Sequence, residues 1–276
     1  MLTPLSEILG LDLSIFNASF VESTIDGLMK ESKCSNFDDY VAYLNNDSTE
    51  LNHLKKALNN HYSLFFRNTL TFSFLENHIL PLLVKQKVLS HSREIRIWSA
   101  ACAAGQEAYS IAMVCDEFSK RNHSNIRFSV FATDISDDEL QKARKGMYSE
   151  MNVKNVSFER INNYFTRVGD VFKVNEELRT GVDFSPFDLL SEEWMCPSAS
   201  IFGNFDIIFC ANLLFYYRPE IQKKIVYKLN QCLAPGGWLM VGDAEKDIVD
   251  SYSDFDAYKY FTVLQKPAQG VRKTNR

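Results

Sequence analysis

The sequence predicts a helical N-terminal domain, residues 1–88, followed by a doubly wound α/β domain, residues 89–276. Three observations lead to this fold class. In the first region apolar residues recur at helical spacing, whereas in the second short apolar runs of strand length alternate with amphipathic stretches. Between about 153 and 182 a short helix and the run Val171–Val174 interrupt that alternation, which indicates a small inserted β-subdomain. A chain of 276 residues is long enough for one large and one smaller domain.

The helical prediction rests on four stretches in which apolar side chains fall on one face of a helix. Ser35 and Asp38 supply a capping pair at the start of the second stretch. The polar stretch Lys85–Arg93 then marks the domain boundary. The apolar positions are Phe16, Phe20 and Leu28; Phe37, Val41 and Leu44; Leu51, Leu54 and Leu58; and Phe72, Leu75 and Ile79.

In the α/β domain, strands and helices are predicted in alternation. Ser136 and Glu139 form a capping pair for the second helix, and Pro219 occupies the first turn of the third. The polar, basic tail from Lys266 to Arg276 is predicted to be disordered. The predicted strands cover 95–98, 127–132, 205–210, 238–241 and, at the sheet edge, 260–265; the predicted helices cover 107–118, 136–146 and 219–233.

Composition excludes several classes of function. The six cysteines are scattered without a C-x-x-C pair and the five histidines show no ligand spacing. No metal site is therefore expected, and the thiols are expected to be reduced core residues. No apolar run approaches the roughly 20 residues that span a bilayer, and the first residues do not resemble an export signal. We therefore expect a cytoplasmic protein without direct membrane insertion.

The loop after the first predicted strand, Ser99–Glu107, is the first candidate for a ligand site. In an open α/β sheet, ligands bind beyond the carboxyl ends of the strands, near the first crossover. Small side chains let a ligand approach the backbone here, Gly105 can adopt a positive φ, and the helix that starts near Gln106 offers free N–H groups. The loop lacks the G-x-G-x-x-G pattern, so a nucleotide-type site and a tightly packed alanine-rich turn both remain open.

The second candidate is Asp134, where the second predicted strand ends. An acid in this position accepts hydrogen bonds from ribose hydroxyls in dinucleotide-binding folds. The same residue is equally suited to cap the helix that follows. The residue pattern alone supports both roles.

Several motifs, in order along the chain from residue 63 to residue 245, resemble one known family. Residues 98–110, WSAACAAGQEAYS, are similar to its W-S-A-x-C-S-T-G-E-E-P-Y-S, and residues 205–217, FDIIFCANLLFYY, to its F-D-x-I-F-C-R-N-V-L-I-Y-F. The other matches are 63–68 (SLFFRN) with T-x-F-F-R-D, 132–135 (ATDI) with A-T-D-I-D, 143–148 (ARKGMY) with A-R-x-G-x-Y, 235–237 with P-G-G, and 242–245 (GDAE) with G-H-S-E. Together they resemble the chemotaxis receptor (protein-glutamate) methyltransferase family, CheR.

The resemblance implies a Rossmann-like class I methyltransferase with an N-terminal all-helical domain and a small inserted β-subdomain. It implies S-adenosylmethionine as the cofactor, and methyl-ester formation on glutamate side chains of chemoreceptors as the reaction. Two alternatives remain open: a CheR-like methyltransferase that acts on a different protein or a small molecule, and a catalytically silent cofactor-binding module. A nicotinamide dehydrogenase is disfavoured because the glycine pattern is missing.

The resemblance also implies roles for individual residues. Arg67 and Tyr216 are the catalytic candidates, Arg67 closing the pocket and Tyr216 lying beside the reactive methyl. The alternatives are a surface charge for Arg67, a core aromatic for Tyr216, and a turn cap after Pro186 for Asp188. The cofactor-binding candidates are Ser63, Arg67, Gly105, Glu107, Asp134, Asp188, Leu189 and Asn212.

Four departures from the family pattern bear on the acceptor and the partner. Ala211 stands where the family has an arginine, and Gln106 replaces a glutamate. The net charge of −5 arises within residues 1–60, where four lysines meet nine acids, whereas the family's helices are typically basic there. Residues 166–170 form a shorter loop than in members that bind a receptor's C-terminal peptide tether. We therefore expect a chemoreceptor cytoplasmic domain or another protein as the partner, no tether binding, and no nucleic acid.

Overall fold

The computed structural model describes residues 3–59, 63–123, 125–200, 202–253, 255–257 and 262–268. The chain divides into two compact units, Met1–His61 with Leu213–Lys223 and Tyr62–Asn212 with Lys224–Arg276. The helices are α1 (Thr3–Leu9), α2 (Ala18–Glu31), α3 (Phe37–Asn46), α4 (Ser48–Asn59), α5 (Thr69–Phe74), α6 (Leu80–Leu89), α7 (Gln106–Asn122), α8 (Asp137–Lys145), α9 (Glu150–Val153), α10 (Phe158–Tyr164), α11 (Glu176–Thr180), α12 (Pro219–Cys232) and α13 (Lys246–Tyr252), with a π-helical turn, Leu75–Ile79, between α5 and α6. The strands are β1 (Glu94–Ser99), β2 (Arg127–Asp134), β3 (Met147–Ser149), β4 (Phe165–Val168), β5 (Val171–Val174), β6 (Val182–Pro186), β7 (Phe205–Cys210), β8 (Leu233–Val241), β9 (Asp256–Ala257) and β10 (Val263–Gln265).

The first unit is built from amphipathic helices that bury their apolar faces against one another. Asn17 caps α2, since its side chain accepts the Ser19 N–H at 3.0 Å. The cap of α3 is Asn36, which accepts the Asp39 N–H at 2.9 Å, so the predicted capping pair Ser35–Asp38 is wrong by one position. Each buried aliphatic side chain contributes about 1.5–3 kcal/mol to stability. The core positions include Leu13, Val21, Ile25, Leu28, Tyr40, Leu44, Leu54 and Leu58.

The second unit contains a seven-stranded sheet in the order β6-β2-β1-β7-β8-β10-β9. Strands β6, β2, β1, β7 and β8 run parallel, and β10 and β9 add antiparallel pairs at one side. Every residue of β7 is buried, as expected for the centre of a parallel sheet. The predicted doubly wound α/β fold is therefore confirmed. The strand predicted at the edge is second from it, because β9 pairs beyond β10, and residues 260–261 of that prediction lie outside the described residues.

A separate three-stranded antiparallel sheet, in the order β3-β5-β4, forms the inserted β-subdomain. Phe172 of β5 pairs with Tyr148 of β3 on one side and with Arg167 of β4 on the other. The sheet begins at Met147, ahead of the predicted start of the insertion at 153, because β3 supplies a third strand. Gly169, with a φ of +60°, stands in the two-residue turn between β4 and β5.

Helices α5 and α6 belong to the second unit, although the sequence pattern predicts the domain boundary at residue 88. Phe72 of α5 stacks on Phe209 of β7 with ring centroids 5.8 Å apart. Phe74 meets Trp238 of β8 edge-on at 6.4 Å. The apolar face of these helices therefore packs into the core of the sheet, and a polar stretch in the sequence does not mark a boundary by itself.

Lys266, the first residue of the tail predicted to be disordered, is tied into the fold. Its N–H donates to the Gly237 carbonyl at 2.9 Å, and its Nζ donates to the carbonyls of Asn230 and Leu233 at 2.6 and 2.8 Å. Residues 269–276 of that prediction lie outside the described residues. In the part of the chain that the structure describes, no helix is long and apolar enough to cross a membrane. Within the same ranges, no group of three or more His, Cys, Asp or Glu side chains is placed to hold a metal ion.

Candidate functional site

The loop after β1, residues 100–105, lies at the switch point of the sheet. β1 pairs with β2 on one side and with β7 on the other. The Ala100 N–H donates to the Phe209 carbonyl at 2.8 Å, and the Cys102 N–H donates to the Thr133 carbonyl at 2.9 Å. The loop is therefore fixed to the carboxyl ends of both neighbouring strands. Open α/β sheets bind their ligands in a crevice at this place.

Gly105 ends this loop and precedes α7 with a φ of +89°, the positive φ that the sequence predicts. A β-carbon at this position would lie 2.8 Å from the Ala143 β-carbon and 3.1 Å from the Phe184 ring. The glycine is therefore required by its backbone conformation and by the packing of α7 against α8 and β6. The atoms that crowd Gly105 belong to the protein, so its assignment as a cofactor contact stays a prediction.

Asp134 ends β2 and joins the loop to the start of α8. Its Oδ2 accepts the Ala103 N–H at 2.8 Å, and its Oδ1 accepts the Ser136 N–H at 2.9 Å. The N-cap of α8 is Ser136, whose Oγ accepts the Glu139 N–H at 3.4 Å, so the alternative role of Asp134 as the helix cap is wrong. A carboxylate has about four acceptor positions, and two of them remain for the hydroxyl groups of a ligand.

Glu107 lies in the first turn of α7, where its Oε1 accepts the Ser99 hydroxyl at 2.7 Å. Desolvation inside the protein raises the pKa of Glu107 to about 7. The Ser99 hydrogen bond lowers this pKa, the Glu245 carboxylate raises it, and the Arg67 guanidinium lowers it. Glu107 therefore titrates near neutral pH, and a nearby cation would favour its charged form.

Glu245 is a fully buried carboxylate that joins the ends of β7 and β8. Its Oε2 accepts two main-chain N–H groups, from Asn212 and from Gly242, each at 2.7 Å. Asn212 has a φ of +64°, a conformation that asparagine tolerates better than most residues. A β-carbon on Gly242 would lie 2.7 Å from that Oε2, so a larger residue would displace the Glu245 carboxylate. Sequence reasoning gives Glu245 no role, although it stands in the matched stretch 242–245.

The segment that precedes α5 is anchored by two aromatic residues. The Phe65 ring packs edge-on against Tyr148 with centroids 4.8 Å apart. The Phe66 N–H donates to the Ser110 Oγ at 3.0 Å, and its φ is +49°. Arg67 follows directly and is exposed, yet its charge acts on Glu107. The backbone before Arg67 is thus held by the core.

Comparison with known proteins decides the family. Residues 61–260 match the family described as CheR methyltransferase, SAM binding domain, and residues 4–58 match CheR methyltransferase, all-alpha domain. The chain belongs to the CheR methyltransferase family. As a member it is an S-adenosylmethionine-dependent methyltransferase, and the resemblance stated from the motifs is confirmed.

Several relatives in the CheR family match most of the chain. The chemotaxis protein methyltransferase of Borreliella burgdorferi is 33% identical over 239 residues, which cover 86% of this chain and 83% of that protein. Chemotaxis protein methyltransferase 1 of Pseudomonas aeruginosa is 32% identical and covers 82% of this chain and 81% of its own. Chemotaxis protein methyltransferase Cher2 of Pseudomonas putida is 34% identical, with coverage of 68% and 67%.

In this CheR chain the segment after β6 carries two further candidates. The Phe187 N–H donates to the Asp134 carbonyl at 3.1 Å, which sets the segment beside the end of β2. The Asp188 Oδ1 accepts the Leu190 N–H at 2.7 Å and so supports a turn, as one of the two interpretations of the sequence predicts. Leu189 is buried. A cofactor role for Asp188 and Leu189 stays a prediction.

The remaining candidates divide between the two units. Ser63 is half-buried and lies in the second unit with the other cofactor candidates. Tyr216 belongs to the first unit, where its ring lies 4.7 Å from the Phe20 ring and 4.2 Å from the Phe215 ring. Its carbonyl accepts the Asn17 N–H at 2.8 Å. Tyr216 is thus held in an aromatic cluster of that unit and is half-buried.

The side chains at the carboxyl end of β1, β2 and β7 fit S-adenosylmethionine, the cofactor of the CheR family. This molecule carries a positive sulfonium and a positive ammonium group, and its ribose has two hydroxyls. Carboxylates of Glu107, Asp134 and Glu245 gather at this end of the sheet and suit those charges and hydroxyls. Within the described residues, the Oε1 of Gln106, at the start of α7, is buried without a hydrogen-bond partner and so remains a possible acceptor.

Proposed function

We propose that the protein forms methyl esters on glutamate side chains in the cytoplasmic domain of a chemoreceptor, with S-adenosylmethionine as the methyl donor. The observation that carries this proposal is the match to both CheR domains in order, with relatives named chemotaxis protein methyltransferases over more than four fifths of the chain. The comparisons with relatives favour neither another acceptor nor a silent module.

The proposed reaction makes modest demands on the protein. The cofactor, when bound, supplies a methyl group already activated by the positive charge on sulfur. A glutamate side chain with a pKa near ~4.3 is ionised at neutral pH, so no general base is required. Alignment of the acceptor with the methyl group is the main task, and orientation alone can supply about 7–11 kcal/mol.

Two side chains are proposed to handle the acceptor. The guanidinium of Arg67 would hold the acceptor carboxylate, because it is exposed and follows a segment anchored by Phe65 and Phe66. The hydroxyl of Tyr216 would orient an acceptor carboxylate, the role that the family resemblance implies. Its ring is supported by Phe20, which limits its freedom.

The other candidates are proposed to hold the cofactor. Asp134 would accept the ribose hydroxyls with its two remaining acceptor positions, and Glu107 would face the positive charges. Asp188 and Leu189 would line the adenine, Leu189 through its apolar surface. Asn212, Ser63 and Gly105 complete the set.

We further propose that recognition of the receptor does not use a C-terminal peptide tether. The turn between β4 and β5 has only two residues, Gly169 and Asp170, and offers little surface for a peptide. Titration of a receptor C-terminal peptide should give no measurable heat of binding. A micromolar dissociation constant would contradict this part of the proposal.

Transfer of labelled methyl from S-adenosylmethionine to a receptor cytoplasmic fragment tests the function. Alkali should release the label as volatile methanol, because methyl esters are base-labile. Tyr216→Phe and Arg67→Ala should each lower kcat at least tenfold, whereas Tyr227→Phe, an exposed tyrosine on α12, should not. Cofactor binding without any transfer to the receptor would contradict the proposed acceptor, and full turnover in both variants would contradict the two catalytic roles.

A further inference from the structure

Two cysteines distant in sequence meet in the second unit. The Sγ atoms of Cys196 and Cys232 lie 2.8 Å apart, although the residues are 36 positions apart. Cys196 stands between β6 and β7, and Cys232 is the last residue of α12. Both are buried. The cysteines are scattered along the sequence, but folding brings this pair into direct contact.

The face of α12 that carries Cys232 also holds the segment 187–196. The Lys228 Nζ donates to the carbonyls of Ser191 and Trp194, and the Cys232 Sγ lies 3.2 Å from the Met195 carbonyl oxygen. Lys228 and Cys232 are four residues apart, so they are neighbours on one side of the helix. The segment that carries Asp188 and Leu189 is therefore held to α12 at two places, one of which is the cysteine pair.

We propose that Cys196 and Cys232 form a reversible intramolecular disulfide that fastens the segment 187–196 to α12 and thereby strengthens cofactor binding. The coupling to the cofactor rests on the proposed roles of Asp188 and Leu189. A covalent bond at Cys196 removes conformational freedom from a segment that the cofactor would otherwise have to order.

The two thiols differ in a way that suits disulfide exchange. The hydrogen bond from Cys232 lowers the pKa of Cys196 despite its burial, and the charges of Lys228 and Arg96 lower it as well. The hydrogen bond to Cys196 and burial raise the pKa of Cys232. Cys196 is therefore the attacking thiolate and Cys232 the resolving thiol.

A small disulfide such as oxidised glutathione serves as the oxidant. The Cys196 thiolate attacks one sulfur of the oxidant, breaks its S–S bond and releases one glutathione thiolate. Cys232 then loses its proton and attacks the Cys196 sulfur, which releases the second glutathione. The two cysteines lose two electrons and two protons, and the oxidant takes up both as two thiols.

Cys196 is more accessible to reagents than the other buried cysteines. It keeps 8% of its surface exposed, whereas Cys102, Cys115 and Cys210 keep 2% or less. Burial raises the pKa of Cys102, Cys115 and Cys210, and these thiols are enclosed by the core. Oxidation is therefore expected to be selective for the pair.

Peptide mass spectrometry of the full chain tests the bond. The reduced protein is treated with oxidised glutathione, alkylated and digested without reduction. We expect one cross-linked peptide that joins Cys196 to Cys232, lost in Cys232→Ser and kept in Cys34→Ser, a half-buried cysteine in the first unit. Glutathione attached to Cys34 with no cross-link at the pair would overturn the proposal.

Calorimetric titration of S-adenosylmethionine tests the coupling. We expect the oxidised protein to bind about two- to fivefold more tightly than the reduced protein, with full reversal by dithiothreitol. The double variant Cys196→Ser, Cys232→Ser should bind alike before and after treatment. Equal affinity of the oxidised and reduced wild type would overturn the coupling. Both readouts are independent of the receptor, so a failure of receptor methylation leaves them unchanged.

Discussion

The two sides of the candidate site are built in different ways. On the side of β1 and β2, main-chain groups do most of the holding: the loop bonds to the ends of two strands, and Asp134 accepts two main-chain N–H groups. On the side of β6 and α12, the segment 187–196 depends on side chains, chiefly Lys228 and Cys232. A segment held by main-chain hydrogen bonds to the sheet is costly to displace. A segment held by a few side chains can become more or less ordered without global unfolding. The first side is therefore the rigid one and the second the adjustable one.

Gly105→Ala would break the rigid side and should have the largest effect. The new β-carbon would approach the Ala143 β-carbon to 2.8 Å, and the φ of +89° is strained for alanine. Because Ala143 cannot move without moving α8, we expect a loss of roughly 3 kcal/mol in the free energy of unfolding. Urea denaturation measures this loss, and cofactor titration should show binding abolished or strongly weakened.

Gly169→Ala is the matched control for that variant. Gly169 also has a positive φ, +60°, but a β-carbon there would meet no atom within 4 Å. Only backbone strain remains, so we expect the free energy of unfolding to fall by about 1–2 kcal/mol. Equal losses in the two variants would show that packing around Gly105 does not contribute.

The pH dependence of cofactor binding tests the role of Glu107 on the rigid side. Desolvation raises the pKa of Glu107 to about 7, so its carboxyl is protonated in the free protein below that pH. A cationic cofactor favours the carboxylate, and affinity should therefore rise about tenfold between about pH 6 and 8. Glu107→Gln should flatten this dependence, whereas Glu150→Gln, an exposed acid on α9, should not. A pH-independent wild type would contradict the role of Glu107.

The Glu107 carboxyl affects the free energy of unfolding with the opposite pH dependence. Its pKa in the folded protein, about 7, lies above the ordinary value of 4.5, so the folded state binds the extra proton between these values. The contribution of Glu107 to the free energy of unfolding is therefore largest in acid and falls as the pH rises from 4.5 to 7. In Glu107→Gln this slope should be absent.

Lys228→Met would loosen the adjustable side and should have the smallest effect. The carbonyls of Ser191 and Trp194 would lose a donor, while the sheet would stay intact. We expect cofactor affinity to fall roughly threefold and the free energy of unfolding to fall by about 1 kcal/mol. Lys224→Met, one turn earlier on α12 and in an exposed ion pair with Glu192, should change neither. If Lys228→Met lost more stability than Gly105→Ala, the side of β6 and α12 would not be the adjustable one.

The sequence predicts the rigid side well because its signals are local. A strand, a loop of small residues, a glycine and a helix follow one another between residues 95 and 118, and Asp134 ends the next strand. Adjacent positions decide these features through backbone conformation and apolar spacing. The positive φ of Gly105 is predicted for the same reason.

The adjustable side escapes prediction because its contacts join distant positions. The strand β6 is short and interrupted by polar residues, so its pattern gives no clear signal. Cys196 meets Cys232 across 36 positions, and at the ends of β7 and β8 Glu245 likewise accepts the N–H of Asn212, 33 positions away. Such contacts depend on the tertiary fold and produce no periodic pattern in the sequence.

The first unit has a consequence for how the chain is made. Its last part, Leu213–Lys223, is separated from the rest by more than half of the protein. Tyr217 of that part stacks on Phe16 with ring centroids 5.3 Å apart, and the Arg218 N–H donates to the Ile15 carbonyl at 3.0 Å. During synthesis from the N-terminus, the helices emerge long before the residues that cover Phe16 and Phe20. The helical unit can therefore be completed only after most of the sheet strands have been synthesised, and a fragment cut at the end of α4 would leave two aromatic rings without their partners.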